Sequence, residues 1–400
     1  MNTQQKELIT ATVPLLRTSG EVLTNYLYKR MFEHHPELKE IFNMGNQANG
    51  RQKSALASTV LSYAENIENP SVLLNILKGI GNKHVSLNVL PEQYSIVGTH
   101  LLASIDEVLG DAATPEILEA WKIAYFELAD IMTGLETDMY NENKNKTGGW
   151  IGWRKFKIGK ITEESAEVKS FYLYPEDGKA IADFAPGQFL SVQVFVNDLG
   201  IVQPRQYSLS DSFNGEYYRI SVKREANTET NPEGMVSNQL HMAKAGDVIN
   251  VSPPMGLFKL KENTEHPVVL ISGGIGLTPM LSMLHTVKNN NRKNKTVWVH
   301  GCRNEAVHAF KDEVAQLNSD AHWLESLVFY DQDHTVAKNA ISGRVDLHAH
   351  KDTILLENAS YYICGPELFI KAQYQSLIAL NVNKENIFYE EFGPQLIGLN

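Results

Sequence analysis

His84 closes a stripe of apolar residues, Leu73, Leu77 and Ile80, that recurs every three or four positions, the signature of one face of a helix. An imidazole in that setting can give an axial nitrogen to a haem iron. A lone histidine on such a face is more often a core residue satisfied within the protein. A different chemistry is available at Arg205-Gln206-Tyr207-Ser208. A flavin needs a cation for its phosphate, an aromatic face for its ring and a small hydroxyl near its reactive nitrogen, and an R-x-Y-S run supplies all three. A plain edge strand with an exposed arginine is the competing reading. Gly273, Gly274 and Gly276 stand between the apolar run VVLIS and a helical run that includes Thr278-Pro279. Glycines there let the backbone approach a pyrophosphate, and the helix start offers free N–H groups and a positive dipole. An ordinary tight turn would look the same.

The elements that must carry these groups change character along the chain. Up to about residue 148 the text is helical. Tyr125, Leu128, Met132 and Leu135 form a stripe that continues to Glu136, and Pro91 suits a first helical turn. Pro14 predicts a helix bend or start. The polar run NENKNKTGGW, 141–150, ends in a glycine pair and predicts a linker. Strand-like runs follow (WRKFKIG, VKSFYLY, FLSVQVFV, YYRISVKR, DVINVSPP), punctuated by Pro186-Gly187 and Asn214-Gly215. With few helices between them they predict an antiparallel barrel. From about Pro267 apolar strands alternate with helical runs, which predicts a parallel, doubly wound sheet. The expected domains are therefore 1–148, 149–262 and 263–400.

Bulk composition narrows the class. Hydrophobic residues at 43% and charged residues at 21% describe a soluble globular chain of 400 residues, long enough for two or three cores. A net charge of −11 argues against a nucleic-acid partner. The two cysteines, Cys302 and Cys364, make no disulfide framework and fit a reducing cytosol. No apolar run approaches the roughly 20 residues of a membrane helix, and the opening MNTQQKELIT has no apolar signal region. A cytoplasmic location without a transmembrane segment is the expectation.

The motifs in order complete the reading. R-x-Y-S is followed by Gly234-Met235-Val236-Ser237, GGIGLTPM, Cys364-Gly365-Pro366 and Glu390-Glu391-Phe392-Gly393-Pro394. This series resembles the ferredoxin–NADP reductase family. The helical third, with YKRMFEHHPELKEIFN, GRQKSAL, GNKHVSL and PEQYSIVG, resembles the globin domain of flavohaemoglobins. Together they span essentially the whole chain. The resemblance implies an all-α globin, an antiparallel β-barrel FAD domain and an α/β NAD(P)-binding domain, with haem b, FAD and NADH or NADPH as cofactors.

The resemblance also implies roles. His84 is then the proximal iron ligand, with Tyr94 and Glu136 hydrogen-bonded behind it, and a carboxylate on the far nitrogen makes an imidazole more electron-donating. Phe42 packs on the haem. Tyr28 and Gln52 point at the distal ligand, Leu56 sharing the helix face of Gln52 four residues on, and Lys83 adjusts the haem field. Arg205, Gln206, Tyr207 and Ser208 hold the flavin, as does Phe189, which stands where many relatives carry tyrosine. Residues 234–237 open a helix under the FAD pyrophosphate. Gly273, Gly274, Gly276, Thr278 and Pro279 receive the nucleotide. Cys364 lines the hydride-transfer site, Glu390 tunes the flavin, Phe392 covers its ring, and Gly365, Glu391, Gly393 and Pro394 complete the cofactor-binding set.

The implied activity is oxidation of nitric oxide by O2 to nitrate, by a chain expected to be a monomer. Alternatives are an oxygen-binding or sensing globin with its own haem reductase, and an alkyl hydroperoxide reductase. Arg303, after a strand of the last domain, could contact the 2′-phosphate of NADPH or be a surface arginine. The segment KREANTETNPEGMVSN is longer than the usual loop there.

Overall fold

The computed structural model describes residues 1–48, 50–227, 233–262, 266–290, 295–319, 323–332 and 340–393. The first helix, α1 (Thr3–His34), starts in a reciprocal cap: the Asn2 side chain accepts from Gln5 N at 2.9 Å and the Gln5 side chain accepts from Asn2 N. Pro14, where a bend or start is expected from the sequence, lies inside this helix. After α2 (Met44–Ala48), α3 (Arg51–Glu65) and α4 (Leu74–Ser86), α5 (Pro91–Leu109) and α6 (Pro115–Asn145) each begin on a proline, whose fixed φ and missing N–H suit the first turn. Leu23, Leu27, Leu77, Leu101, Ile105 and Trp121 fill the space between these helices.

The predicted linker is corrected at its start. α6 runs on to Asn145, so half of the polar run is helical. Its last turns are held by neighbours: Tyr140 Oη donates to Val89 O at 2.7 Å, and the buried Asn143 amide reaches Met255 Sδ at 3.0 Å. Tertiary contacts here outweigh the weak helix preference of asparagine.

Next come β1 (Arg154–Glu163), β2 (Val168–Pro175), β3 (Phe189–Val196), β4 (Ile201–Ser208), β5 (Tyr218–Lys223), α7 (Met235–Met242) and β6 (Val248–Val251). The strands form one antiparallel sheet in the order β4-β3-β6-β1-β2-β5. A bridge between Leu209 and Ile220, with Ser210 N donating to Arg219 O at 2.9 Å, joins the two edges, so the sheet curls into a barrel. Phe156, Phe171, Leu190 and Tyr218 fill it.

The last part contains β7 (Val268–Gly273), α8 (Leu277–Asn289), β8 (Thr296–Cys302), α9 (Lys311–Ser319), β9 (Leu324–Tyr330), β10 (Ile341–Ser342), α10 (Lys351–Ile354), β11 (Ser360–Gly365), α11 (Glu367–Ala379) and β12 (Ile387–Glu391). Its sheet is parallel, in the order β10-β9-β8-β7-β11-β12. The chain leaves β7 in one direction and returns on its other side, so β7 is the topological switch point, where such folds bind ligands beyond the strand ends. Among the described residues, no helix is long and apolar enough to cross a membrane.

Candidate functional site

α4 delivers His84 to a buried carboxylate. His84 Nδ1 lies 2.8 Å from Glu136 Oε1 on α6 and 2.9 Å from the Tyr94 hydroxyl on α5, and Tyr94 donates to the same Glu136 oxygen at 2.7 Å. Glu136 is 2% exposed. Such a carboxylate needs donors, which puts a proton on His84 Nδ1 and leaves Nε2 as the ring nitrogen that can face a metal. Burial, and then the Glu136 charge, raise the Tyr94 phenol far above its usual range, so it remains a donor. An imidazole held this way fits an axial metal ligand.

A second patch of the helical domain is aromatic. Tyr28 is buried on α1, with its ring 5.6 Å from Phe42 and 5.9 Å from Phe32. Met31, Leu38 and Leu56 complete the patch. Burial pushes the Tyr28 phenol up to about 12, opposed by the amides of Gln52 on α3 and Gln47 on α2, so its O–H is retained. Both amide atoms of Gln47 are buried without a hydrogen-bond partner among the described residues. An apolar wall with a few polar groups of this kind fits a porphyrin pocket with a small polar ligand.

The R-x-Y-S run lies on β4, and its second residue reaches back to the histidine helix. Gln206 Nε2 donates to Ser86 Oγ at 3.0 Å, Ser191 Oγ of β3 lies 2.8 Å from the same hydroxyl, and Ser86 donates to Lys83 O at 2.7 Å. Arg205 has no carboxylate partner among the described residues; its guanidinium donates to Pro204 O, and burial lowers its pKa to about 10. A shielded cation without a counter-ion fits a phosphate. Burial also raises the Tyr207 phenol. Ser208 is buried at the end of β4. Gly234 caps α7, with Val236 and Ser237 buried in its first turn. Phe189 is buried against Val85 and Met255, where the barrel meets the helices.

The remaining motifs gather at one end of the parallel sheet. Gly274 takes φ +53°, a conformation that favours glycine, and a Cβ on Gly276 would come within 2.3 Å of Cys364 O, so that position requires glycine. Thr278 and Pro279 are buried in the first turn of α8, and Gly365 ends β11. Cys364, expected at the hydride-transfer site, is fully buried in register with Ser272 and Glu390, and burial raises its thiol strongly. The structure gives that thiol no exposed surface. Burial raises Glu390 to about 8, with Lys83 pulling the other way, and one Glu390 oxygen has no partner among the described residues. Lys83 donates to Gly393 O, which joins the histidine helix to the end of the sheet. Glu391 is buried, Phe392 is exposed just beyond β12, and Pro394 lies outside the described residues.

Three family models cover the chain in this order: Globin over 25–132, Oxidoreductase FAD-binding domain over 155–260 and Oxidoreductase NAD-binding domain over 270–375. The flavohemoproteins of Bordetella pertussis and Rhizobium meliloti are 47% and 48% identical to it, each match covering 98% of both chains. The chain belongs to the flavohemoprotein family. A flavohemoglobin from Malassezia yamatoensis, solved with bound FAD and heme, superposes with a TM-score of 0.87 at 28% identity, covering 98% of this chain and 99% of that one.

As a flavohemoprotein the chain is an oxidoreductase with haem, FAD and NAD(P)H sites. Sequence reasoning missed several residues of its site. Ser86, Ser191 and Gln203 join the flavohemoprotein's modules, with Gln203 Nε2 donating to Lys39 O at 2.7 Å and Gln203 Oε1 accepting from Met44 N at 3.0 Å. Their only sequence signal is a polar residue inside an apolar strand or at a helix end. Gln47 was missed because α2 is too short to show a period. Arg303, weighed for the 2′-phosphate, pairs with Glu167 of the barrel, so a phosphate would have to compete with that carboxylate. The long loop falls partly on 228–232, outside the described residues.

Proposed function

We propose that this flavohemoprotein oxidises nitric oxide with O2 to nitrate at the expense of NADH or NADPH. When bound, FAD supplies the conversion of a two-electron hydride into single electrons, and haem supplies the one-electron centre at which O2 reacts. Every other part is done by residues of the chain. Glu136 accepts a hydrogen bond from Nδ1–H of His84 and increases the donor strength of Nε2, while Tyr94 holds that carboxylate in place. Tyr28 and Gln52 offer hydrogen-bond donors on the aromatic side of the pocket, where negative charge develops on a bound diatomic ligand. Arg205 would bind the flavin's phosphate, and the first turn of α7 would offer its free N–H groups to the pyrophosphate. The loop after β7 would receive the dinucleotide.

The observation that carries the proposal is the joining of the two sites. The strand bearing Arg205-Gln206-Tyr207-Ser208 is hydrogen-bonded through Ser86 to the helix bearing His84, two residues from the ligand itself. A flavin cradle fixed to the iron's own helix suits repeated electron delivery, and covalent fusion keeps the donor at high effective concentration. The FAD/NAD-binding domain of the nitric oxide dioxygenase from Vibrio cholerae, 39% identical with a TM-score of 0.56 over 60% of this chain, supports the same reading. Stopped-flow mixing of the NADH-reduced, air-equilibrated protein with NO tests it. Nitrate should form in step with NO loss, and NADH consumption should accelerate. Steady NADH consumption unaffected by NO would assign the chain to oxygen binding or sensing instead.

A further inference from the structure

The glycine loop after β7 offers one side chain, Ile275, by which it can be held. Gly273, Gly274 and Gly276 otherwise leave its position to the strand ladder and to the last side chain before it, Ser272. Ser272 is fully buried and stands in register with His300 on β8, one step before the pairing of Gly273 with Gly301. Its hydroxyl donates to Val299 O at 3.3 Å and lies 2.9 Å from His300 Nδ1. With the hydroxyl proton directed at Val299, the bond from His300 runs from Nδ1–H to Ser272 Oγ.

That assignment makes His300 Nε2 a bare acceptor, and Nε2 is buried with no hydrogen-bond partner among the described residues. The residue is 0% exposed. Burial, and then His308, hold the ring neutral. His308 covers one face, its ring stacked 4.8 Å away and its own Nδ1 2.9 Å from the Tyr330 hydroxyl of β9. A fully buried imidazole with an unpaired nitrogen is a poor choice for stability, and departures of this kind gather at functional sites. What His300 contributes is the bond to Ser272, at the root of the loop.

We propose that His300 is a positioning residue for NAD(P)H binding: through Nδ1–H to Ser272 Oγ it fixes the end of β7, and with it residues 273–276, whose backbone meets the pyrophosphate of the dinucleotide. The inference rests on the reading of that loop as the dinucleotide site. It is independent of the nitric oxide chemistry.

The test uses the full-length protein loaded with FAD and haem, mixed rapidly with NADH under argon. Flavin reduction followed against NADH concentration gives an apparent Kd and a limiting rate. Ser272→Ala and His300→Leu should each raise the Kd about fivefold, the size of one neutral hydrogen bond, with the limiting rate unchanged. His300→Asn, whose amide can occupy the place of Nδ1–H, should keep the wild-type Kd. Combining Ser272→Ala with His300→Leu should give the Kd of either alone. The midpoint of denaturant unfolding in that double variant should equal or exceed that of the wild type, because the orphan nitrogen is gone. A role in packing alone would instead lower stability and affinity together.

The reading of the loop is tested separately. A Cβ at Gly274 meets nothing within 4 Å. Gly274→Asn, a residue that tolerates a positive φ, puts a side chain into that open space and should abolish saturation by NADH. If it leaves the Kd unmoved, the loop is not the dinucleotide site and the proposal falls with that reading. If it weakens binding while Ser272→Ala and His300→Leu do not, the proposal alone is overturned. Additive effects in the double variant, or no rescue by His300→Asn, overturn it as well. Should His300→Leu fail to fold, Ser272→Ala and His300→Asn decide between these outcomes.

Discussion

Glu136 accepts from two donors, the His84 ring and the Tyr94 hydroxyl. Glu136→Gln keeps the shape and removes the charge. Substitutions of a group that orients a metal ligand cost about ten- to a hundredfold, so NO turnover should fall by that order, and the iron–histidine stretch in resonance Raman should drop. An unchanged stretch would mean that the carboxylate does not reach the iron through His84. Glu390 behaves differently, because burial raises it to about 8 against the pull of Lys83. In the unfolded chain it ionises near 4.3, roughly the ordinary glutamate value. Between those values the folded state holds a proton that the unfolded state has lost, so this residue makes stability fall as pH rises from about 4 to 8. Glu390→Gln should flatten that part of the stability profile; a wild-type slope in the variant would contradict the assignment. His84 was legible from its stripe, and Glu136 from its place on the same kind of stripe. Gln47 was not, because an amide on a five-residue helix looks like any surface polar group until burial is known.

At the level of elements, α4 does two jobs within its last turn. It presents His84, and through Ser86 it accepts Gln206 from the flavin strand while meeting Ser191. Ser86→Ala would leave the buried Ser191 and the half-buried Gln206 short of a hydrogen bond, a cost of about 1–3 kcal/mol. Rapid-mixing absorbance should then show flavin reduction by NADH unchanged and the following haem reduction slowed. Equal slowing of both steps would point to general damage. The helices, the antiparallel strands and the β–α alternation were readable from period and punctuation, since each follows from local chemistry. The end of α6 was not. Its polar last turn is helical because Tyr140 and Asn143 find partners on the α4–α5 loop and the barrel, and no local pattern announces contacts so distant in sequence.

Across the whole molecule, the barrel and the parallel sheet meet over a partly buried charge cluster. Arg219 of β5 lies 3.2 Å from Glu313 of α9, which also takes His285 of α8 at 2.5 Å. Burial alone would raise the Glu313 carboxyl, but the His285 ring and the Arg219 guanidinium outweigh it and bring it down to about 2. A depressed carboxylate stabilises the fold above its unfolded value, near 4.3, and that contribution disappears as pH falls toward 2. With the pair partly solvated, the contribution is on the order of 1–2 kcal/mol. The reductase half should therefore lose stability between about pH 4 and pH 2. Denaturant titrations of Glu313→Gln should show a shallower acid limb, and an identical limb would refute the linkage. The order of the three domains was legible, because each has its own periodicity. Their mutual seating was not, because it depends on single polar side chains.

That seating has a kinetic consequence. Gln203 ties the flavin strand to Lys39 and Met44 on the haem side, while Lys83 ties the haem helix to the far sheet. Redox systems whose modules must diffuse together and part again slow down in thick solvent. Here donor and acceptor stay stitched at both seams, so glycerol or sucrose should leave the internal current unchanged even where it retards the entry of NADH.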